Sequence, residues 1–277
     1  MSAELKRRIA SAVVLAVVVL TATWYGGLAF RIVAAAMAVL IYYEWSTITR
    51  AAERDFRANA FGWVAIFLIA IDLVVDEGEL SVPILGGAIV TALLLVLLRK
   101  GSWWLPGGIL YAGLSGISLA AIRAEDQAGF VATLFIFAVV WATDILAYFV
   151  GRALKGPKLA PRISPGKTWS GAIGGTVSGV IASSALTLGV FSRLSIWTVA
   201  IAFLLSVASQ IGDLFESFIK RRFGVKDSSH LIPGHGGVMD RVDGLVFACF
   251  AAFLLTLVYT AMTGHLDVSV ASFLFGF

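Results

Sequence analysis

Apolar residues fall into nine long stretches, and polar or charged connectors separate them. The stretches run over 9–30, 32–49, 60–75, 82–98, 103–122, 129–151, 169–191, 194–215 and 244–263. A helix crosses a bilayer with roughly 20 mainly apolar residues, and most of the stretches meet that length. The third and fourth are short, and the fifth is rich in glycine. The pattern predicts an all-α, polytopic bundle of about nine transmembrane helices. Lys6-Arg7-Arg8 ahead of the first stretch imitates a signal peptide, but the stretch is too long for a signal core and other spans follow. It therefore reads as the first membrane helix. The tail 264–277 ends Phe273-Leu274-Phe275-Gly276-Phe277. It is too short to cross and is expected to rest at the interface.

Composition agrees. The chain has 277 residues, 59% of them hydrophobic and only 14% charged, against about a quarter charged in soluble domains. Mean hydropathy is +0.93. Length alone would suggest two domains, but bundled spans share one interior and no soluble-looking linker divides them. A single integral membrane domain over 1–277 is expected. Within it, 1–122 supplies N-terminal helices and 129–263 the catalytic helices and loops. The lone cysteine, Cys249, offers neither a disulfide framework nor a thiolate metal site. The pI of 9.3 comes from clustered loop charges rather than a nucleic-acid-binding face. With nine spans and the N-terminus in the cytoplasm, all 21 Lys and Arg except Arg31, Arg123 and Arg193 fall on the cytoplasmic side, as positive charge prefers. The acidic turn Asp72, Asp76, Glu77, Glu79 falls outside. Loops 152–168 and 216–243 then share the cytoplasmic face.

Those two loops carry the chemistry. Charge beside lipid is costly unless it is paired, metal-bound or facing water, so by default it marks function. At the end of the eighth stretch, Asp213, Glu216, Ser217 and Lys220 stand at i, i+3, i+4 and i+7, one polar stripe if the helix continues. Asp213 is either paired with Lys220 or a neighbouring helix, or it is a ligand for a divalent metal or substrate. The ninth stretch opens Pro233-Gly234-His235-Gly236-Gly237-Val238-Met239-Asp240-Arg241-Val242-Asp243. Gly236 and Gly237 let backbone approach a ligand closely, and a helix starting near Val238 would aim N–H groups at an anion. Asp240 and Asp243 share a face. With Asp213 they offer hard oxygen ligands for Mg²⁺; the alternative is two acids favoured by a helix N-terminus. His235 beside glycines suits hydrogen bonding to phosphate better than zinc ligation. In the sixth stretch Asp144, Tyr148 and Arg152 share a face, and Asp144 should point into the bundle. Ser164-Pro165-Gly166-Lys167-Thr168 lacks the first glycine and preceding strand of a nucleotide P-loop. Phosphate contact by Lys167 and Thr168 remains reasonable beside the plainer reading, a solvated topogenic loop. Gly171, Gly174 and Gly175 are expected to serve close helix packing. Carboxylates, basic groups and a membrane-boundary position together suit phosphoryl or nucleotidyl transfer to a lipid.

Ser217-x-x-Lys220-Arg221, Lys226-Asp227 and Pro233-Gly234-His235-Gly236-Gly237-x-x-Asp240-Arg241-x-Asp243 resemble the signature of phosphatidate cytidylyltransferases (CDP-diglyceride synthases). Asp144-x-x-Ala147-Tyr148-x-x-Gly151-Arg152 and Ser164-Pro165-x-Lys167-Thr168 resemble a second block of that family. The resemblance covers roughly residues 140–250. Ser170 departs from it, since relatives often carry an acid there. The resemblance implies an enzyme that makes CDP-diacylglycerol and pyrophosphate from CTP and phosphatidic acid with Mg²⁺, alone or with a second ion; the absence of an organelle-targeting segment fits a bacterial inner (cytoplasmic) membrane. It implies that Asp213 and Asp240 hold the metal with Asp243 in support, and that Lys167, Lys220, Arg221 and Arg241 neutralise phosphate oxygens. The lipid phosphate is placed near Ser164, Lys167 and Thr168. Ser217, Asp144, His235, Gly236 and Gly237 complete the substrate contacts. Expected partners are CTP, phosphatidic acid, the bilayer and a second copy of the chain in a homodimer, but no nucleic acid. Two rivals stay open: a CTP-dependent enzyme acting on another lipid phosphate, and an ion-coupled transporter using Asp144 and Asp213. The first differs in lipid specificity, the second in moving solute without releasing pyrophosphate.

Overall fold

Two adjacent glycines end the first helix. In this computed structural model, which describes residues 3–75, 78–265 and 267–276 with side chains from residue 9 onward, α1 (Ala3–Tyr25) stops at Gly26 and α2 (Gly27–Ile48) begins at once. Gly26 and Gly27 have φ of 64° and 48°, a left-handed region that side chains with a Cβ disfavour. The boundary comes earlier than residue 30, and Arg31 lies inside α2 rather than in a connector. The side chains of Lys6, Arg7 and Arg8, the acids Asp76 and Glu77, and Leu266 and Phe277 in the tail lie outside the described residues.

A single turn, α3 (Ala51–Arg54), precedes α4 (Phe56–Val75), α5 (Ser81–Arg99), α6 (Trp104–Arg123) and α7 (Gln127–Leu154). A hairpin of β1 (Lys158–Ala160) and β2 (Ser164–Thr168), paired antiparallel, leads into α8 (Trp169–Phe191). Then come α9 (Ile196–Arg222), α10 (Met239–Thr263) and α11 (Val270–Phe275). Among the described residues, eight helices (α2 and α4 to α10) are long and apolar enough to cross a membrane, and Ile9–Tyr25 adds a shorter apolar stretch. The helical, multi-span expectation holds, and the chain is a multi-pass membrane protein. The hairpin was not anticipated.

By contacts the chain groups into two compact units. The first comprises Met1–Ala120 and Arg222–Arg241. In it α2 packs on α4, and α4 on α5, around buried Ala34, Ala38, Ile41, Ile66, Ile69 and Leu73. Ser81 closes the α4–α5 connection by donating to Asp72 Oδ2 at 2.5 Å.

The second unit comprises Ala121–Arg221 and Val242–Phe277. Its strongest pairing is α7 with α8, and glycine makes it close. A Cβ on Gly171 would meet the Ala147 carbonyl oxygen at 2.7 Å, on Gly174 a Val150 methyl at 2.5 Å, and on Gly175 the Thr143 carbonyl oxygen at 2.6 Å. The packing role expected for these glycines is borne out. Thr143 and Ser206 bond through their hydroxyls at 2.8 Å, which joins α7 to α9. In the tail, Val270, Ala271, Phe273, Leu274 and Phe275 are buried, and α11 lies on α7. Trp197 Nε1 donates to the Phe273 carbonyl at 2.6 Å.

Candidate functional site

The expected site residues fall into two clusters, one in each unit. In the second unit the cluster is acidic. Helix α9 runs unbroken to Arg222, so Asp213, Glu216, Ser217 and Lys220 do form one stripe. A Cβ on Gly212 would meet the Asp243 carbonyl oxygen at 2.4 Å and Phe247 Cβ at 2.8 Å. The bare backbone at Gly212 thus lets α9 lie directly against α10, and its neighbour Asp213 comes beside Asp243. Asp144, Asp213 and Asp243 stand within electrostatic reach of one another, with Lys167 acting on all three. Glu216 lies beside Asp243 in the same cluster.

The ion pairs differ from the simplest expectation. Asp213 Oδ2 pairs with Lys167 Nζ at 2.5 Å, the two side chains being 31% and 27% exposed. Lys220 pairs instead with buried Glu216 at 3.0 Å. Lys220 lies one turn beyond Glu216 on the same face, whereas Lys167 reaches Asp213 from the β-hairpin. Ser217 donates weakly to Asp213 Oδ1 at 3.5 Å. Asp144 is solvent-accessible and faces Asp213, Asp243 and Lys167 in the cluster. Arg152 donates to the Tyr148 hydroxyl at 2.8 Å on the same helix.

The hairpin presents the Ser-Pro-Gly-Lys-Thr segment as strand β2, not as a phosphate-cradling loop. Thr168 is the N-cap of α8, its buried hydroxyl accepting from Gly171 N at 3.2 Å. Ser170, where an acid was expected by resemblance, donates to the Lys155 carbonyl. Ser164 is half-buried in β2 and Lys167 projects to Asp213.

In the first unit the cluster is a clasped loop. Asp240, in the first turn of α10, takes two backbone donors on Oδ2, Ser228 N and Gly237 N, each at 2.8 Å, and the Ser228 hydroxyl, whose single proton lies between Asp240 and Glu44, stands 2.9 Å from each. Val238 N and Met239 N, which sequence reasoning aimed at an external anion, both donate to Glu44 at 2.7 Å. The anion at this helix start is therefore the protein's own carboxylate. The glycines serve the same end. A Cβ on Gly237 would meet Ser228 Oγ at 1.9 Å and Glu44 Oε1 at 2.4 Å, and Gly236 holds φ at +84° beside Asp240. The His235 ring meets Ser11 Oγ at 2.7 Å through Nδ1. The His235 carbonyl accepts from Arg241 Nε and an Arg241 amino group at 3.0 and 2.8 Å. Arg221 is exposed at the end of α9.

Sequence reasoning passed over Glu44 and Ser11. Glu44 had a signal, a carboxylate within Leu40-Ile41-Tyr42-Tyr43-Glu44-Trp45, deep in a predicted span. Ser11 had none, since one serine in a membrane helix is ordinary.

Asp144, Asp213, Asp243 and Glu216 face two ammonium groups, Lys167 and Lys220. Such a set of oxygen donors with excess negative charge fits a hard divalent cation. Among the described residues no three His, Cys, Asp or Glu side chains converge on one cation position. Mg²⁺ does not require three, because it is usually held by one or two carboxylates together with substrate phosphates and water.

Known proteins resemble the chain along its length. Residues 6–259 match the cytidylyltransferase family. The chain is 44% identical over 274 residues to the phosphatidate cytidylyltransferase of Brucella suis, covering 98% of both chains. It is 45% identical over 260 residues to that of Brucella abortus, covering 92% of this chain and 94% of the relative. For the Haemophilus influenzae protein of that name the identity is 33% over 282 residues, with 88% of this chain and 96% of the relative covered. The matched region contains the acidic cluster, the hairpin and the clasped loop, and the chain belongs to the cytidylyltransferase family.

Proposed function

We propose that this protein is an enzyme that transfers the cytidylyl group of CTP to phosphatidate, giving CDP-diacylglycerol and pyrophosphate. What carries the reading is near full-length similarity to relatives named for that activity, joined to an acidic cluster suited to a divalent cation. The reaction forms a bond from a phosphatidate oxygen to the α-phosphorus of CTP and breaks the bond to the β-phosphate, with pyrophosphate leaving. A phosphate monoester is already ionised near neutral pH, so no strong base is needed. The obstacle is repulsion between two anions, which fixed and positioned charge must offset.

In this reading Asp213 and Asp243 hold Mg²⁺, with Asp144 and Glu216 beside them. The ion, when bound, would neutralise charge on the triphosphate. Lys167 and Lys220 supply ammonium groups to phosphate oxygens, and Lys167 exchanges its bond to Asp213 for one to substrate. Arg221 adds positive charge at the end of α9, while Asp240 and Arg241 hold the loop that precedes α10. The charge bias of the connectors favours an N-terminus and two loops on the cytoplasmic side of a bacterial inner membrane, where CTP is available.

The test is product formation by the purified protein from labelled CTP with phosphatidate, with an isoprenoid phosphate, and with an ether-linked lipid phosphate, each with and without Mg²⁺. CDP-diacylglycerol and pyrophosphate should appear only with Mg²⁺ and should favour phosphatidate. D213N and D243N should each lower turnover by roughly 10²–10³-fold, the scale for removing one charge-stabilising group. No product from any lipid phosphate, or near-normal turnover in both variants, sinks the reading.

A further inference from the structure

Glu44 is fully buried, at 0% exposure, on α2, and the reaction as written makes no use of it. Its surroundings are specific. Oε1 accepts from the Ser229 hydroxyl at 2.6 Å and from Val238 N at 2.7 Å. Oε2 accepts from the Ser228 hydroxyl at 2.9 Å and from Met239 N at 2.7 Å. Each carboxylate oxygen thus joins one residue of the pair 228–229 to one of the pair 238–239. Those pairs are the two ends of the segment that carries Pro233-Gly234-His235-Gly236-Gly237. Asp240 Oδ2 crosses the same neck by accepting from Ser228 and Gly237.

A buried carboxylate is an expensive way to fill space. It must be stripped of water, and an apolar residue of similar size would hold a helix bundle as well or better. What a carboxylate offers is two oxygens that fix four donors in direction as well as distance. Gly237 supports this reading, because its missing Cβ is what lets the loop backbone close on Glu44 and Ser228.

We infer that Glu44 is a positioning residue: its carboxylate closes the neck of the 228–239 loop and sets the first turn of α10, which carries Asp240. The inference rests on the proposed cytidylyl transfer for its kinetic readout, and on the structure alone for its conformational one. Glu44 touches no reacting atom in this role. Its loss should therefore lower kcat through misplacement and leave the KM for phosphatidate little changed.

The experiment compares wild type with E44Q, E44D, S229A and D240N as full-length protein in detergent. Three readouts are taken: kcat and KM with CTP and phosphatidate, the thermal midpoint, and the rate of tryptic cleavage after exposed Lys226, two positions before the neck. In E44Q the amide N–H₂ must face one backbone N–H, of Val238 or Met239, which is left unpaired, so the neck should open. The expectation is a roughly 100-fold lower kcat, the scale of a 1 Å misplacement, with phosphatidate KM within about threefold and tryptic cleavage at least roughly tenfold faster. E44D keeps the charge and should recover part of the rate and of the protection. If E44Q does not fold, S229A removes one donor of the four and should cost roughly tenfold in kcat with faster cleavage. Wild-type kcat and wild-type protection in the folded variant overturn the inference, as does a slow enzyme whose loop stays protected. A fully active E44Q beside an inactive D240N removes the role of Glu44 alone, whereas a wild type that makes no CDP-diacylglycerol removes the proposed function instead.

Discussion

Replacing Gly212 with alanine should separate Asp213 from Asp243. In the structure a Cβ at residue 212 would sit 2.4 Å from the Asp243 carbonyl oxygen and 2.8 Å from Phe247 Cβ. Ordinary contact begins near 3.4 Å, so α9 and α10 must part by about 1 Å at this level. The first obstacle is backbone within a helix, which cannot rotate aside as a side chain would. Overpacking of this kind costs about 1–3 kcal/mol. The larger effect should be on rate, because displacement of about 1 Å between groups that hold one reacting centre can cost roughly 100-fold. The assay is CDP-diacylglycerol formation at saturating CTP and phosphatidate, run beside a thermal melt in detergent. The control is Gly189→Ala on α8, where an added Cβ meets nothing within 4 Å. That change should be neutral or stabilise by about 0.5–1 kcal/mol, since alanine suits a helix interior better than glycine. A G212A enzyme with wild-type turnover and an unchanged melt would refute the claim that Gly212 sets the spacing of the two carboxylates.

Gly237→Ala should cost about 3–5 kcal/mol, as its Cβ must displace Ser228 or Glu44 from a bonded position; a melt lowered by less than about 2 °C contradicts this. Gly175→Val should split α7 from α8, because its Cβ meets the Thr143 carbonyl oxygen at 2.6 Å, and the folded yield in detergent should fall sharply. Lys167→Ala should leave the melt nearly unchanged, because a pair about one-third exposed contributes little to stability. The same variant should raise the KM for CTP or phosphatidate roughly 10-fold or more through loss of one charge-assisted bond to phosphate; unchanged kinetics would make the hairpin a topogenic element only.

The sequence made the spans readable because membrane helices announce themselves by length and hydropathy alone. It made the α7–α8 packing readable because glycines at 171, 174 and 175 have no other purpose in an apolar helix. It did not reveal the partners of charged residues. Asp213 and Lys167 are 46 positions apart, and only the folded hairpin brings them to 2.5 Å, whereas the local rule of i, i+4 correctly joins Glu216 to Lys220. Nor could spacing tell which anion meets the N–H groups of Val238 and Met239. A glycine-rich segment ahead of a helix suits an external phosphate and an internal carboxylate equally well, and the choice was made by Glu44, nearly 200 residues away along the chain.

That choice changes what the Pro-Gly-His-Gly-Gly segment can be asked to do. Gly236 and Gly237 are required by Asp240, Ser228 and Glu44, each of which stands where a Cβ would go. Their backbone is already committed, with Gly237 N on Asp240 and Val238 N on Glu44. A phosphate could take these donors only by displacing a carboxylate that has several other bonds to the same loop, and each buried donor left unpaired would cost about 1–3 kcal/mol. On the proposed reading, substrate phosphates are better served by Lys167 and Lys220, whose ammonium groups can exchange one anionic partner for another without unmaking the fold. The signature glycines and the signature aspartates divide along this line: the glycines and Asp240 build the loop, and Asp213 and Asp243 lie in the acidic cluster to which the proposed function gives the metal.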